Sequence, residues 1–302
     1  MESTERTQDK LIVVAGATGR QGGAVARHLL AKGFKVRALT RNAASPAAER
    51  LASAGAEVMK ASLDDPRSVA SAMAGAHGVY SVQNFWEAGV EREIAQAKIV
   101  ADAARAAEVR HFVYASVGSA ARGSGVEHFE SKFVVEDYVR GLGLPATFVR
   151  PSCFMENYYI PEVEVALLKG SLLDPVRGDK PFQLIAVDDI GAFAALAFAR
   201  PEEFIGQEVD LAGAELTNPE AAAIFARVMD RPIAFKKIPP LVIRLFMAEM
   251  RPMFTWFNEG GFKADVAGVR SRYPQIRWKG LEDWLLHEGW DKRARAVRKA
   301  HA

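Results

Sequence analysis

The sequence has almost no cysteine and no long apolar run. Cys153 is the single cysteine among 302 residues, which excludes an intrachain disulfide and any cysteine-rich zinc site. An uncharged apolar stretch such as 191–199 is far shorter than the roughly 20 residues that a membrane-spanning helix needs. Residues 1–10 are polar and charged, without the apolar centre of a secretory signal peptide.

A strong net charge is lacking too. The formal net charge is +2 at pH 7, so no broad electrostatic field favours nucleic acid or a membrane surface as a partner. The apolar fraction of 49% and the charged fraction of 25% are typical of a globular protein. Together with the cysteine usage, these values predict a cytoplasmic protein that binds neither nucleic acid nor membrane.

The most informative segment begins with the apolar run 11–14 and continues into three glycines at a spacing of three, Gly16, Gly19 and Gly22. Gly16 permits a sharp turn, Gly19 lets the backbone approach phosphates, and Gly22 lets the following helix pack closely. A helical pattern of apolar residues follows. Strand, turn and helix in this order predict a dinucleotide pyrophosphate site at the N–H groups of the helix's first turn, rather than a plain strand–turn–helix.

The residues around the second apolar run, 35–39, indicate the choice of cofactor. NAD enzymes of this class usually carry an acidic side chain here, whereas an arginine accommodates the 2′-phosphate of NADP. This chain has Arg37 in the run and Arg41 just after it, with no acidic residue between them. We therefore predict that NADP(H) is preferred over NAD(H), with Arg41 as the main contact, assisted by Arg37 or Arg20. The alternative is that both arginines of the run are solvated surface residues.

Apolar runs and helical patterns alternate through about residue 151. This alternation predicts an α/β fold with a Rossmann-type doubly wound parallel sheet, and we place an NADP(H)-binding domain at 1–151. The pattern is less regular in 152–302, which predicts a smaller α+β C-terminal lobe that completes the cleft. Some of its segments are expected to return to the first domain. In this half, Asp188 and Asp189 are interpreted as helix N-caps.

The loops after the later apolar runs add further candidates. Asp64 lies where adenine usually sits in this fold, and it either bonds the adenine amine or caps the next helix. Asn84 follows the fourth run, at a strand end where open α/β sheets bind ligands. Ser116 ends the fifth run and is either a catalytic serine or a satisfied loop hydroxyl. Cys153 follows the sixth run, and a buried structural thiol is favoured over a reactive one.

Several segments together resemble the NmrA-like group of atypical short-chain dehydrogenase/reductases. The glycine motif at 16–22, with Thr-Arg-Asn at 40–42, is similar to that group, and 84–87, 128–132 and 150–157 are similar to its HSCARG-type members. The likeness runs through most of the chain. It implies cofactor contacts at Lys132 and along the phosphate loop, at Gly16, Thr18, Gly19, Arg20, Gln21 and Gly22.

The resemblance implies two different activities. Some relatives are NADPH-dependent reductases of quinones or plant phenolics, whereas others bind NADP(H) or NAD and report redox state to a protein partner. Short-chain dehydrogenases use Tyr-x-x-x-Lys on one helix, but here His128 replaces the tyrosine and Lys132 retains its offset. Lys132 is expected to hold the nicotinamide ribose, and His128 is either a general acid or a residue that merely lines the helix start.

We therefore expect an NADP(H)-binding redox sensor that acts through a protein partner, without a metal. The alternative is an NADPH-dependent reductase of a quinone-like or apolar carbonyl substrate. The segment 245–257 is rich in Met, Phe and Trp and too densely apolar for one amphipathic face. Part of it is expected in the core, and the remainder either lines an apolar pocket or presents a patch to another protein.

Overall fold

The architecture comes from a computed structural model that describes residues 7–118 and 123–300. The chain divides into two compact units. The first comprises the chain up to Val117, Glu127–Arg150 and Ile190–Val209. The second comprises the described part of 118–126, Pro151–Asp189 and the chain from Asp210 onward. Segment Ile190–Val209 thus belongs to the first unit, although it follows residue 151 in the chain.

Twelve strands lie in the described residues. In chain order they are β1 (Leu11–Val14), β2 (Lys35–Thr40), β3 (Glu57–Lys60), β4 (Gly78–Ser81), β5 (His111–Ala115), β6 (Ala146–Pro151), β7 (Cys153–Phe154), β8 (Ser171–Asp174), β9 (Phe182–Ile185), β10 (Glu208–Leu211), β11 (Ala214–Leu216) and β12 (Ala234–Lys237).

The helices connect these strands. In chain order they are α1 (Arg20–Ala31), α2 (Pro46–Ser53), α3 (Pro66–Ala72), α4 (Phe85–Ala106), α5 (Glu127–Gly141), α6 (Pro161–Leu168), α7 (Val187–Ala199), α8 (Pro201–Phe204), α9 (Asn218–Met229), α10 (Pro240–Phe246), α11 (Arg251–Glu259), α12 (Val266–Arg272), α13 (Leu281–His287) and α14 (Trp290–Ala300). Among the described residues, no helix is both long and apolar enough to cross a membrane.

A seven-stranded sheet organises the fold, in the order β10-β6-β5-β4-β1-β2-β3. The pairs from β6 across to β3 are parallel. The central strands are buried on both faces, which is why they read as continuous apolar runs. The predicted Rossmann-type doubly wound sheet is confirmed. Strand β1 lies between β2 and β4, so the strand order reverses there, and open α/β sheets bind ligands at such a point.

Local sequence signals begin the helices that surround this sheet. The Ser45 hydroxyl accepts from the Ala48 amide and so caps α2, whose first residue is Pro46. The Asp65 carboxylate accepts from the Arg67 amide and caps α3 in the same manner. Helix α4 is interrupted at Gly89, whose φ of 74° and ψ of 169° only glycine adopts easily. The first turn of α4 is therefore set off from the long straight part that follows.

The second unit has its own core, in which the aromatic side chains of Tyr158, Phe225, Trp284 and Trp290 pack together. Small sheets accompany it, of the orders β11-β9-β7 and β12-β8.

Asp188 and Asp189 lie inside the first turn of α7. Their carboxylates accept from Lys279 Nζ at 2.8 and 3.1 Å, and Asp189 also accepts from the Lys279 amide. The N-cap interpretation of the two aspartates is wrong, since they instead join α7 to the residues before α13.

Candidate functional site

The phosphate loop between β1 and α1 is closed tightly by its glycines. Gly16 has a φ of +65°, and a Cβ there would lie 2.9 Å from Val82 Cγ1. A Cβ on Gly22 would lie 2.3 Å from the Gly16 carbonyl oxygen, closer than any real contact. The Gly19 amide donates to that same carbonyl at 2.9 Å. The loop can therefore adopt this shape only with glycine at positions 16 and 22.

The start of α1 can receive an anion. Gly19 is its N-cap, offers no side chain to the first-turn amides, and is exposed. No acidic residue lies in that first turn, so the positive end of the helix is not neutralised locally. Thr18 is half-buried beside it and Arg20 is exposed. This cradle lacks side chains where a pyrophosphate would approach, so its residues fit the predicted group.

Gln21 has a partner of its own in the structure. Its Nε2 donates to the Tyr80 hydroxyl at 2.9 Å, and Tyr80 is fully buried in β4. This bond ties the first turn of α1 to the neighbouring strand β4. The side chain of Gln21 thus fixes the position of the cradle, whether or not it also contacts a cofactor.

Arg37 in β2 and Arg41 in the loop after it have different surroundings. Arg37 donates to Glu57 and to the carbonyls of Ala72 and Ala74, which leaves it little freedom to reach a ligand. Arg41 instead is exposed and pairs with Glu87 at 2.5 Å. Arg37 is therefore structural rather than a solvated surface residue, and a 2′-phosphate contact stays a prediction for Arg41.

Asp64 follows β3 and is held by α4. Its carboxylate accepts from Arg92 at 2.8 and 2.6 Å and from Gln96 at 2.9 Å. The Arg92 guanidinium holds the pKa of Asp64 well below its usual range. The suggested role as helix cap is wrong, because Asp65 caps α3. An adenine contact stays a prediction for Asp64.

Buried polar atoms without a hydrogen-bond partner within 7–118 and 123–300 include Gln83 Oε1, shortly after β4, and Ser116 Oγ, directly after β5. Buried polar atoms are nearly always paired, so such atoms mark places where a ligand or water is expected. Ser116 is therefore not the satisfied loop hydroxyl considered above. Asn84, next to Gln83, is exposed at the N-cap of α4, and its side chain makes no capping bond. Gln83 lies in the same stretch after β4, but sequence reasoning did not single it out as a site residue.

His128 lies in an aromatic cluster. Its ring stacks on Phe85 with centroids 4.9 Å apart, and Trp86 lies 5.4 Å away. Burial lowers the pKa of His128 to about 4, with Glu93 opposing the shift and Lys132 adding to it. The imidazole is therefore neutral at pH 7 and poorly suited to donate a proton as an imidazolium. Trp86 is 66% exposed, so the cluster presents an aromatic surface.

Lys132 is paired with a buried carboxylate that sequence reasoning missed. Its Nζ donates to Glu93 at 2.6 Å, and the Ser131 hydroxyl donates to the same carboxylate at 2.6 Å. Glu93 has only 1% of its side chain exposed. One signal was available, because Glu93 lies four residues before Ala97 on the buried stripe of α4. A carboxylate on such a stripe requires a partner.

Cys153, in β7, has the properties of a structural thiol. Its sulfur accepts from Asn157 Nδ2 at 3.2 Å. Burial of the thiol raises its pKa to about 12, so the thiolate that would act as nucleophile is absent at neutral pH.

Comparisons with known proteins identify the family of this chain. The model of the NmrA-like family matches residues 8–285. The NmrA-like family domain-containing oxidoreductase malD of Malbranchea aurantiaca is 35% identical, over 95% of this chain and 98% of that protein.

Among solved structures, NmrA, a negative transcriptional regulator, in complex with NADP, has a TM-score of 0.75 and 24% identity, covering 92% of this chain and 94% of that one. The same regulator is also known in complex with NAD. The NADPH-dependent quinone oxidoreductase QOR2 of Escherichia coli, complexed with NADPH, has a TM-score of 0.77 and 22% identity, covering 92% of this chain and 98% of that one. At these identities the structural matches support the fold alone, while the family model spans nearly the whole chain. The chain therefore belongs to the NmrA-like family.

Proposed function

We propose that the protein binds NADP(H) at the glycine loop and the start of α1, and that it reports the redox state of this cofactor to a protein partner. The observation that carries the sensing role is the half-buried His128, stacked on Phe85, in the place of the tyrosine proton donor. A bound nicotinamide supplies hydride chemistry. This chain supplies the phosphate cradle and the Lys132 amine, with no charged proton donor at position 128.

NADPH binding and NADPH oxidation, measured side by side, test this proposal. We expect calorimetry to show NADPH binding, and absorbance at the nicotinamide band to show no oxidation with a panel of ketones. Quinones are included as a second substrate class. Their two-electron reduction needs little assistance from an enzymatic acid, so only the ketones report on proton donation by His128. Ketone turnover that falls when His128 is replaced would overturn the sensing role, whereas absence of NADPH binding would overturn the cofactor assignment.

We expect the variant His128→Phe to keep NADPH affinity within about twofold of the wild type, because phenylalanine can retain the stacking on Phe85 and Trp86. A general acid would instead contribute roughly 10²–10⁴-fold to turnover. The pKa of the His128 imidazole is about 4. Titration of His128 should therefore cause no change in the NADPH affinity of the wild type between pH 5.5 and 8. Calorimetry across that range checks both points, with His287→Phe on α13 as the control. A step that is present in the wild type and disappears in His128→Phe would contradict them.

The choice between NADP(H) and NAD(H) should depend on Arg41 and Glu87. Arg41→Ala is expected to weaken NADPH by about tenfold or more and to leave NADH nearly unchanged, because a charge-assisted bond contributes roughly 1.5–3 kcal/mol. Glu87→Gln is expected to act in the opposite direction, because its carboxylate competes for the guanidinium of Arg41. Calorimetry with both cofactors measures the ratio, and Arg50→Ala, an exposed arginine of α2, is the control. Equal affinities of the wild type for the two cofactors would show that Arg41 does not discriminate between them.

A second candidate function is reduction of a planar quinone-like substrate. The exposed ring of Trp86, beside Phe85 and His128, favours it, because flat aromatic compounds stack on such surfaces. A quinone could accept hydride even with a neutral His128. Quinone turnover that is lost in Trp86→Ala but retained in His128→Phe would support this reductase function over sensing alone.

A further inference from the structure

The apolar segment of the second unit around α10 and α11 divides between core and surface. Phe254 and Phe257 of α11 are buried. In contrast, large apolar side chains of α10 are exposed to solvent, namely Leu241 (61%), Val242 (38%), Leu245 (63%) and Phe246 (80%). Scattered exposed apolar residues are ordinary, but four on one short helix form a continuous patch. Within 245–257, Leu245 and Phe246 therefore lie on the surface, whereas Phe254 and Phe257 belong to the core.

The four side chains share one side of α10. Their positions i, i+1, i+4 and i+5 fall within an arc of about 140° on a helix of 3.6 residues per turn. Ile243, which lies outside that arc, is buried and anchors the helix to the second unit. Because the anchored side is already packed, the exposed arc is available to a partner. Apolar residues spaced by four are the pattern by which one amphipathic helix packs against another.

Cations lie close to this apolar arc in the sequence. Lys236 and Lys237 end β12 just before α10, Arg244 lies on α10, and Arg251 begins α11; all four are exposed. None has an ion-pair partner in the part of the chain that the structure describes. Glu249 is the only acidic residue between 236 and 252 in the sequence. The local excess of positive charge contrasts with the nearly balanced chain, whose net charge is +2.

We propose that α10 and these four cations form a docking surface for an acidic amphipathic helix of the partner protein, an inference that rests on the sensing role proposed above. The partner's apolar side chains would cover Leu241, Leu245 and Phe246. Its carboxylates would pair with the exposed cations, which would speed association and select against basic partners. An anionic membrane shares the charge preference. A helix that lies on a membrane, however, usually keeps its apolar face over many turns, whereas α10 spans only 7 residues.

Selection from a phage library of random peptides tests the docking surface even while the partner is unidentified. The peptides are about 16 residues long, enough for four helical turns. The wild-type protein is the bait, and the double variant Leu245→Ser/Phe246→Ser is used for counter-selection. We expect the enriched peptides to be net acidic, with apolar residues at i, i+3 and i+4. Enrichment of neutral or basic peptides, or no enrichment beyond the counter-selected variant, would overturn the proposal.

The best enriched peptide is then made synthetically with a fluorescent label. Its affinity for variants of the protein shows how much the apolar residues and the cations contribute to binding. Its affinity should fall at least about tenfold in Leu245→Ser/Phe246→Ser and in Arg244→Glu/Arg251→Glu, and should weaken as salt is raised. Leu286→Ser on α13 and Arg50→Glu on α2 are matched controls that should bind normally. Unchanged affinity in both double variants would overturn the proposal.

Two further measurements separate the possible failures. Sedimentation with vesicles containing roughly 30% phosphatidylserine tests the membrane alternative. Vesicle binding that is lost in Leu245→Ser/Phe246→Ser, without peptide binding, would assign α10 to a lipid surface and overturn the protein partner. NADPH affinity, measured by calorimetry, should be the same in all these variants. If no peptide binds but NADPH binding is intact, only the docking surface is overturned. If the wild type fails to bind NADPH, the sensing role itself is overturned.

Discussion

Replacing Gly22 with alanine should raise the Kd for NADPH by about 100-fold or more, which corresponds to about 2.7 kcal/mol. Alanine favours helices over glycine, so the loss can arise only from the added methyl group. That methyl would lie 2.3 Å from the Gly16 carbonyl oxygen and 2.6 Å from its carbon. Both atoms are backbone, so either the loop or the start of α1 must move. The amides that form the proposed phosphate cradle would then be misaligned.

Gly19 provides the complementary test, because a substitution there should weaken cofactor binding without disturbing the fold. Its φ of −82° and ψ of 173° suit any residue, and a Cβ would lie 3.2 Å from the Gly16 carbonyl, a tight but tolerable contact. Gly19→Ala should therefore remain folded and still weaken NADPH by about tenfold, since the methyl group lies where the phosphates approach. The larger Gly19→Val should abolish binding.

Calorimetry with NADPH and thermal unfolding measure the two effects, with Gly141→Ala as the control. Gly141 has no atom within 4 Å of an added Cβ, so that variant should bind normally. A folded Gly19→Val protein with wild-type NADPH affinity would rule out the phosphate loop as the cofactor site. Wild-type affinity in Gly22→Ala would show that the close contact with Gly16 is relieved without moving the cradle.

Much of the fold could be predicted, because local signals and tertiary structure agree in the first 151 residues. The run at 57–60 predicts a short strand with the bounds that β3 has. A cap residue followed by proline, at Ser45 and again at Asp65, predicts the helix starts that α2 and α3 show. The alanine-rich pattern of 91–107 predicts a helix that begins at Glu91, but α4 begins at Phe85. Gly89 explains the difference, because its left-handed φ interrupts the helical pattern and hides the turn before it.

The glycine loop of the candidate site was predictable, because its backbone conformation requires glycine at fixed positions. The side-chain partners were not predictable where they lie far apart in the sequence. Asp64 binds Arg92 of α4, and Arg37 donates to the Ala72 carbonyl at the end of α3. In both cases the partners are too far apart in the sequence for helix or strand periodicity to relate them. The neutral state of His128 likewise depends on burial by Phe85 and Trp86, residues 42 or more positions away. Such contacts are determined only once the elements pack.

The pair of Lys132 and Glu93 should give the largest effect on stability. Lys132→Met leaves the Glu93 carboxylate buried without its cation, and breaking such a pair typically costs about 3–5 kcal/mol. The double variant Lys132→Met/Glu93→Gln removes both charges and keeps an acceptor for the Ser131 hydroxyl, so it should recover most of that loss. Urea unfolding measures both variants, and Glu91→Gln, an exposed carboxylate of the same helix, should be neutral. A single variant as stable as the wild type would mean that the pair is not formed in solution.

The same double variant decides whether Lys132 also contacts the cofactor. The family resemblance places this lysine at the nicotinamide ribose, and its ammonium has three donors, of which Glu93 takes one. If Lys132 reaches the ribose, NADPH affinity should fall about tenfold or more even in the stabilised double variant, because a charged donor is lost. Calorimetry at low temperature keeps the single variant folded for comparison. Recovered stability together with wild-type NADPH affinity would confine Lys132 to its ion pair with Glu93.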